Sequence, residues 1–112
     1  MRKLVLDDRG IPTGRDTSFD RFDAPLGDLH LDAGFTALDE HPAFSLSGDG
    51  RRITLEFLEN YRYAQVFAPN GKDFVALEPM TAPTSALTSG QGLRLVEPGE
   101  EFRAAFCIRV QA

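Results

Sequence analysis

The residue of this 112-residue chain best suited to acid–base chemistry is Glu78, which follows the apolar run Val75-Ala76-Leu77 and precedes Pro79. Proline cannot donate a hydrogen bond to a sheet, so the strand that carries Glu78 should stop there or lie at a sheet edge. Catalytic residues often occupy such a junction between a rigid strand and a loop. A glutamate at such a position is suited to act as a general base. A solvated charge at a strand end is the alternative interpretation.

Asp32 is a second carboxylate in a position of interest. The spacing of the apolar residues after it predicts a short helical turn over residues 32–39, with Asp32 as its N-cap. The chain has two histidines: His30 lies two residues before Asp32, and His41 precedes Pro42. The pattern favours surface or loop roles for both histidines.

The elements that position these residues are predicted to be antiparallel strands, because the apolar residues alternate at a spacing of two. Gly48-Asp49-Gly50 suits the turn of a hairpin, and Pro69-Asn70-Gly71 suits a second tight turn. The number and spacing of the strands predict an all-β fold, an antiparallel β-sandwich. The predicted strands after residue 42 are 44–47, 52–57, 63–68, 74–78, 93–96 and 102–110.

The first forty residues follow a different pattern. Only residues 2–6 are predicted to form a strand, and glycines and prolines interrupt the polar stretch after them, which predicts a long loop. We therefore expect a single domain over residues 1–112, with a strand and a long loop region in 1–42 and antiparallel strands in 43–112.

Composition excludes several classes of function. Twelve Lys and Arg against seventeen Asp and Glu give a formal net charge of −5, so binding to nucleic acid or to an anionic membrane is not expected. The longest apolar run, residues 104–108, is far too short to span a bilayer. The single cysteine, Cys107, excludes an internal disulfide, and with two histidines it cannot complete a zinc site. We expect a cytoplasmic protein without a metal or other cofactor.

Four ordered motifs span nearly the whole chain. They are Ile11-Pro12-Thr13-Gly14; Leu31-Asp32-Ala33-Gly34-Phe35; Leu77-Glu78-Pro79-Met80-Thr81-Ala82-Pro83-Thr84; and, after Gly90, residues 93–97 followed by Pro98-Gly99-Glu100. In order and spacing, these motifs resemble the C-terminal part of the aldose 1-epimerase (galactose mutarotase) family.

The resemblance implies part of a large mutarotase-type β-sandwich and the interconversion of the α and β anomers of an aldose. Glu78 matches the family glutamate that deprotonates the anomeric hydroxyl, and Asp32 matches an aspartate that binds sugar hydroxyls. The expected ligand is a hexose, and the reaction is general acid–base catalysis without a cofactor.

The chain departs from the family in length, because it resembles only the C-terminal third of family members. The histidines of the family lie in the part that has no counterpart here, so the general acid stays unassigned and neither His30 nor His41 takes that role. A non-catalytic carbohydrate-binding or interaction module is the alternative function. A third of a large sandwich would expose strand edges and an apolar sheet face, so we expect a homo-oligomer or a complementary chain that covers them.

Overall fold

The computed structural model describes residues 1–20 and 22–112, which form eight strands and one short helix. The single helix has four residues, and no helix in these ranges is long and apolar enough to cross a membrane. The elements are β1 (Arg2–Leu6), β2 (Pro12–Ser18), β3 (Leu31–Thr36), β4 (Ala43–Gly48), β5 (Arg51–Glu59), β6 (Tyr63–Ala68), β7 (Ala76–Met80), α1 (Ala86–Ser89) and β8 (Ala105–Gln111).

The strands form two antiparallel sheets. The five-stranded sheet has the order β2-β1-β3-β6-β7, and the three-stranded sheet has the order β4-β5-β8. The two sheets pack on each other through a shared core, as in a β-sandwich. The predicted all-β, antiparallel sandwich is confirmed.

The core lies where one end of the five-stranded sheet packs against one end of the three-stranded sheet. Ala33, Phe35 and Ala64 of the five-stranded sheet pack with Leu55 and Phe57 of the three-stranded sheet. Aromatic rings bridge the two layers in a continuous series, because Phe44 lies between Phe35 and Phe57, with ring centroids 6.3 and 5.6 Å away. Edge-to-face and tilted rings of this kind stabilise an apolar core beyond the area that they bury.

The three-stranded sheet follows the predicted alternation closely. The β4–β5 hairpin turns at Asp49 and Gly50, both of which have a positive φ, of 49° and 71°. Two left-handed residues in succession match the twist of the flanking strands, which is why this pair suits the turn. The predicted terminal strand is present as β8 and pairs with β5.

The first forty residues contain two strands that the sequence pattern did not predict. Residues 12–18 form β2, where a long loop was expected, and residues 31–36 form β3, where a helical turn was expected. Both expectations were wrong. Strand β3 pairs with β6 at five consecutive positions, and this long-range pairing outweighs the weak local helical spacing. Asp32 is therefore a strand residue and not an N-cap.

The structure around Glu78 also differs in detail from the prediction. The strand is Ala76–Met80, two residues later than predicted, and it includes Pro79. Strand β7 is an edge strand of its sheet, a position in which proline is tolerated because one side of the strand has no partner, and the predicted edge position is confirmed. The strand predicted over residues 93–96 is absent: this segment pairs with no other strand, and Leu95 is 74% exposed.

Candidate functional site

Glu78 and Asp32 lie on the same face of the five-stranded sheet, which is the face directed away from the core. Gln65 on β6 pairs with Gly34 on β3 and with Glu78 on β7. Residues opposite each other in an antiparallel sheet share a face, and so do residues two apart along one strand. Asp32, two residues before Gly34, is therefore on this face. We call Asp32, Gln65 and Glu78 the polar row.

A hydrogen bond joins two members of the polar row. The Nε2 of Gln65 donates to Oδ1 of Asp32 over 2.5 Å. The side chain of Gln65 crosses the sheet over Gly34, where a Cβ would lie 3.1 Å from the Gln65 Oε1 and 3.1 Å from a methyl carbon of Leu4. The absence of a side chain at position 34 thus leaves the space in which the amide reaches Asp32.

Glu78 occupies the open side of the polar row. It is partly exposed on the edge strand β7. No hydrogen bond or ion pair joins its carboxylate to any of the residues that the structure describes. Both oxygens of this carboxylate are therefore free to accept hydrogen bonds from a ligand.

Two aromatic rings lie beside the polar row. Phe67 pairs directly with Asp32 in the β3–β6 register, so it is on the same face. Its ring contacts that of Phe74, with the centroids 6.0 Å apart and the planes inclined by 62°. Phe74 is 52% exposed. The rings supply an apolar surface next to two carboxylates and an amide.

The segment between β7 and β8 covers the other end of this face. Gly92 lies against the ring of Tyr63 and against Pro83, and the side chain of Gln91 lies against Gly14 on β2. Gly92 has a φ of +70°, and a Cβ there would lie only 2.9 Å from Pro83. Only glycine suits this position, because both the backbone conformation and the close approach exclude a side chain.

The structure brings together both carboxylates that the sequence singled out and adds Gln65 between them. The alternation of Gln65 with Tyr63 and Phe67 was visible in the sequence, but its contact with Asp32 depends on the β3–β6 pairing, which the sequence pattern did not predict. His30 and His41 are exposed and lie outside the strands. Neither forms a hydrogen bond with the polar row in the part of the chain that the structure describes.

A separate cleft of about 480 Å³ opens at the end of the core, away from the polar row. Phe57 and Tyr61 line it together with Asp39, Glu40 and Glu59. Over residues 1–20 and 22–112, no group of three or more histidine, cysteine, aspartate and glutamate side chains could hold a metal ion. The cleft is open and is bordered by the chain turns at Ala37 and Asn60, both of positive φ.

The fold and the outer face define an antiparallel β-sandwich that presents two carboxylates, an amide and two aromatic rings on one sheet surface. Comparison of the chain with protein-family models, curated proteins and solved structures found no match. The arrangement of these side chains is accordingly the basis for a functional proposal.

Proposed function

We propose that the outer face of the five-stranded sheet binds an aldose and that the chain acts like an aldose 1-epimerase, with Glu78 as the base. One observation carries the proposal: the polar row holds an unpaired carboxylate, a carboxylate oriented by an amide, and an adjoining pair of aromatic rings on one surface. The motif resemblance around Glu78 and Asp32 supports the same assignment.

The chemistry of the row suits a sugar. Asp32 accepts one hydrogen bond from Gln65 and keeps further lone pairs for ligand hydroxyls, while the Gln65 amide keeps a second N–H and its oxygen. The C–H face of a pyranose ring is apolar and can pack against Phe67, which pairs with Asp32 in the sheet. The same site would therefore satisfy both the polar rim and the apolar face of a sugar ring.

In the proposed reaction, Glu78 accepts the proton of the anomeric hydroxyl while an acid protonates the ring oxygen. The bond between C1 and the ring oxygen breaks, and the aldehyde forms. Rotation about the C1–C2 bond followed by the reverse proton transfers closes the ring as the other anomer. Asp32 and Gln65 would hold the remaining hydroxyls, and no residue is assigned as the acid.

The rate of anomer interconversion tests this proposal. Polarimetry would follow freshly dissolved α-glucose and α-galactose with the wild-type chain, with Glu78→Gln and with buffer alone. We expect Glu78→Gln to lower the enzymatic rate by about 100-fold or more, since a general base contributes at least that factor. Full residual activity in this variant would contradict the role of Glu78.

Glu56→Gln is the matched control. Glu56 is also a strand glutamate, but it lies on the three-stranded sheet and hydrogen-bonds Arg109 over 3.2 Å. An exposed pair of this kind contributes little to stability. We expect Glu56→Gln to keep the wild-type rate, so a loss of activity in both variants would indicate a general effect of removing charge.

The second candidate is a carbohydrate-binding module without catalysis. The absence of a hydrogen bond between either histidine and the polar row, within the described residues, favours it. Sugar binding with a rate of interconversion equal to that of buffer would establish this function in place of the first.

A further inference from the structure

Phe74 has no role in the core of the molecule. It precedes β7, is 52% exposed and contacts the ring of Phe67 on the outer face. Burial of an aromatic side chain contributes strongly to binding, whereas its exposure in a free protein brings no such gain. Its ring extends the apolar surface of Phe67 beside the hydrogen-bonding groups of the polar row, and an apolar surface rimmed by polar groups marks many ligand-binding sites.

The outer face is longer than one sugar ring in the direction of β6. Tyr63, Gln65 and Phe67 alternate along β6, so neighbouring members are about 6.7 Å apart. The ring of Phe74 lies a further 6.0 Å from that of Phe67. Gly92 covers the Tyr63 end. Along β6, a ligand longer than one ring therefore extends past Phe67 toward Phe74, away from the covered end.

We propose that Phe74 forms a second sugar subsite next to Phe67 and that the ligand is a reducing oligosaccharide of two or more units. This inference rests on the proposed function. The reducing-end unit lies over the polar row, with its anomeric hydroxyl at Glu78, and the next unit stacks on Phe74. The carboxylates of Asp32 and Glu78 favour neutral sugars over phosphorylated ones, because like charges repel.

Isothermal titration with glucose, maltose and cellobiose tests the proposal. We expect at least one disaccharide to bind the wild-type chain about threefold to tenfold more tightly than glucose, as one stacked ring would provide. Phe74→Leu should abolish this preference and leave the affinity for glucose within about twofold of the wild-type value. Phe74→Tyr keeps the ring and should retain the preference.

Phe106→Leu is the matched control, since Phe106 is 44% exposed but lies on the three-stranded sheet. This substitution should change neither the affinity for glucose nor the affinity for the disaccharides. Equal affinities for glucose and both disaccharides, or a preference that survives Phe74→Leu, would overturn the second subsite while leaving the proposed function intact. Absence of binding by all three sugars would overturn both. Phe74→Tyr serves as the informative variant if Phe74→Leu does not fold.

Discussion

The five-stranded sheet presents two carboxylates, an amide and two aromatic rings on its outer face, whereas the three-stranded sheet leaves part of its apolar inner face open to solvent. In the three-stranded sheet, Leu55 and Phe57 of the inner face are buried in the core. Farther along the same strands, the apolar side chains are 41 to 68% exposed. We call these residues the apolar patch; they are Leu46, Ile53, Ile108 and Val110.

The two sheets differ in the residues that shape them, because alternation of apolar and polar residues accounts for the three-stranded sheet, whereas a glycine shapes the candidate site on the five-stranded sheet. In the three-stranded sheet, apolar residues recur at every second position, and the outer face carries a polar pair, Glu56 with Arg109. Hydrogen bonds from the guanidinium to that carboxylate raise the pKa of Arg109. In the five-stranded sheet, Gly34 leaves room for a side-chain contact between strands. The regular pattern thus belongs to the sheet without the candidate site, and the irregular one to the sheet that carries it.

The largest contrast is expected in stability, between the covered and the open parts of one sheet face. Phe57→Ala removes a ring that is 6% exposed and should lower the free energy of unfolding by about 3 to 5 kcal/mol. Ile108→Ala, on the same face at 61% exposure, should cost less than about 1 kcal/mol. Urea unfolding of both variants measures the difference. A cost at Ile108 similar to that at Phe57 would show that the apolar patch is covered in solution.

Gly34→Ala sharpens the comparison at the polar row. A Cβ at this position would lie 3.1 Å from the Gln65 oxygen and 3.1 Å from a methyl carbon of Leu4, so these side chains must shift to make room. A shift of the amide disturbs its hydrogen bond with Asp32 and should weaken glucose binding about threefold to tenfold, measured by titration calorimetry. Gly48→Ala on the three-stranded sheet is the control, because nothing lies within 4 Å of a Cβ there. Unchanged binding in Gly34→Ala would exclude Gln65 from the site.

The apolar patch leads to a prediction about association. We expect the wild-type chain to form a homo-oligomer or to bind a complementary chain through this face, since soluble proteins normally cover such surfaces. Replacement of Ile108 and Val110 by threonine should lower self-association in sedimentation velocity runs over a range of concentrations. A wild-type chain that stays monomeric throughout that range would contradict a homo-oligomer.

The smallest effect is expected at the β1–β2 turn, where pH can be used as the probe. The Asp7 carboxylate accepts the backbone N–H groups of Ile11, over 3.0 Å, and Arg9, over 2.8 Å. These bonds lower the pKa of Asp7 below its ordinary value of 3.8. A lowered pKa in the folded state stabilises the fold above the ordinary value, and this contribution is lost as the pH falls through the lowered one.

Asp7→Asn should therefore be slightly less stable than wild type at pH 7 and equally stable at the acid end of the titration. Thermal unfolding at a series of pH values gives the difference between the two proteins. A difference that stays constant down to the lowest pH would show that the charge of Asp7 contributes nothing at this turn.

The sequence was sufficient for the fold class and for one of the two sheets. The hairpin at Asp49-Gly50 and the terminal strand follow from local alternation and turn chemistry, which act over a few residues. Strand β3 could not be predicted in this way, because Ala33 and Gly34 carry little apolar signal and its strand structure depends on pairing with β6, about thirty residues later in the chain.

The candidate site, like the fold, was predictable only in part. Glu78 stood out because a carboxylate before Pro79 marks a strand at a sheet edge. Asp32 was singled out by resemblance, while its place in β3 and its bond with Gln65 required the three-dimensional pairing of the strands. Side-chain contacts between residues of two neighbouring strands leave no local pattern in the sequence.

Mapping of glucose binding by NMR tests the central claim most directly, because it reads both sheets at once. In the ¹⁵N-labelled chain, titration with glucose should shift the amide signals of Asp32, Gly34, Gln65 and Glu78 and leave those of β4 and β5 unchanged. Shifts confined to β4 and β5, or no shifts at high sugar concentration, would contradict a sugar site on the outer face of the five-stranded sheet.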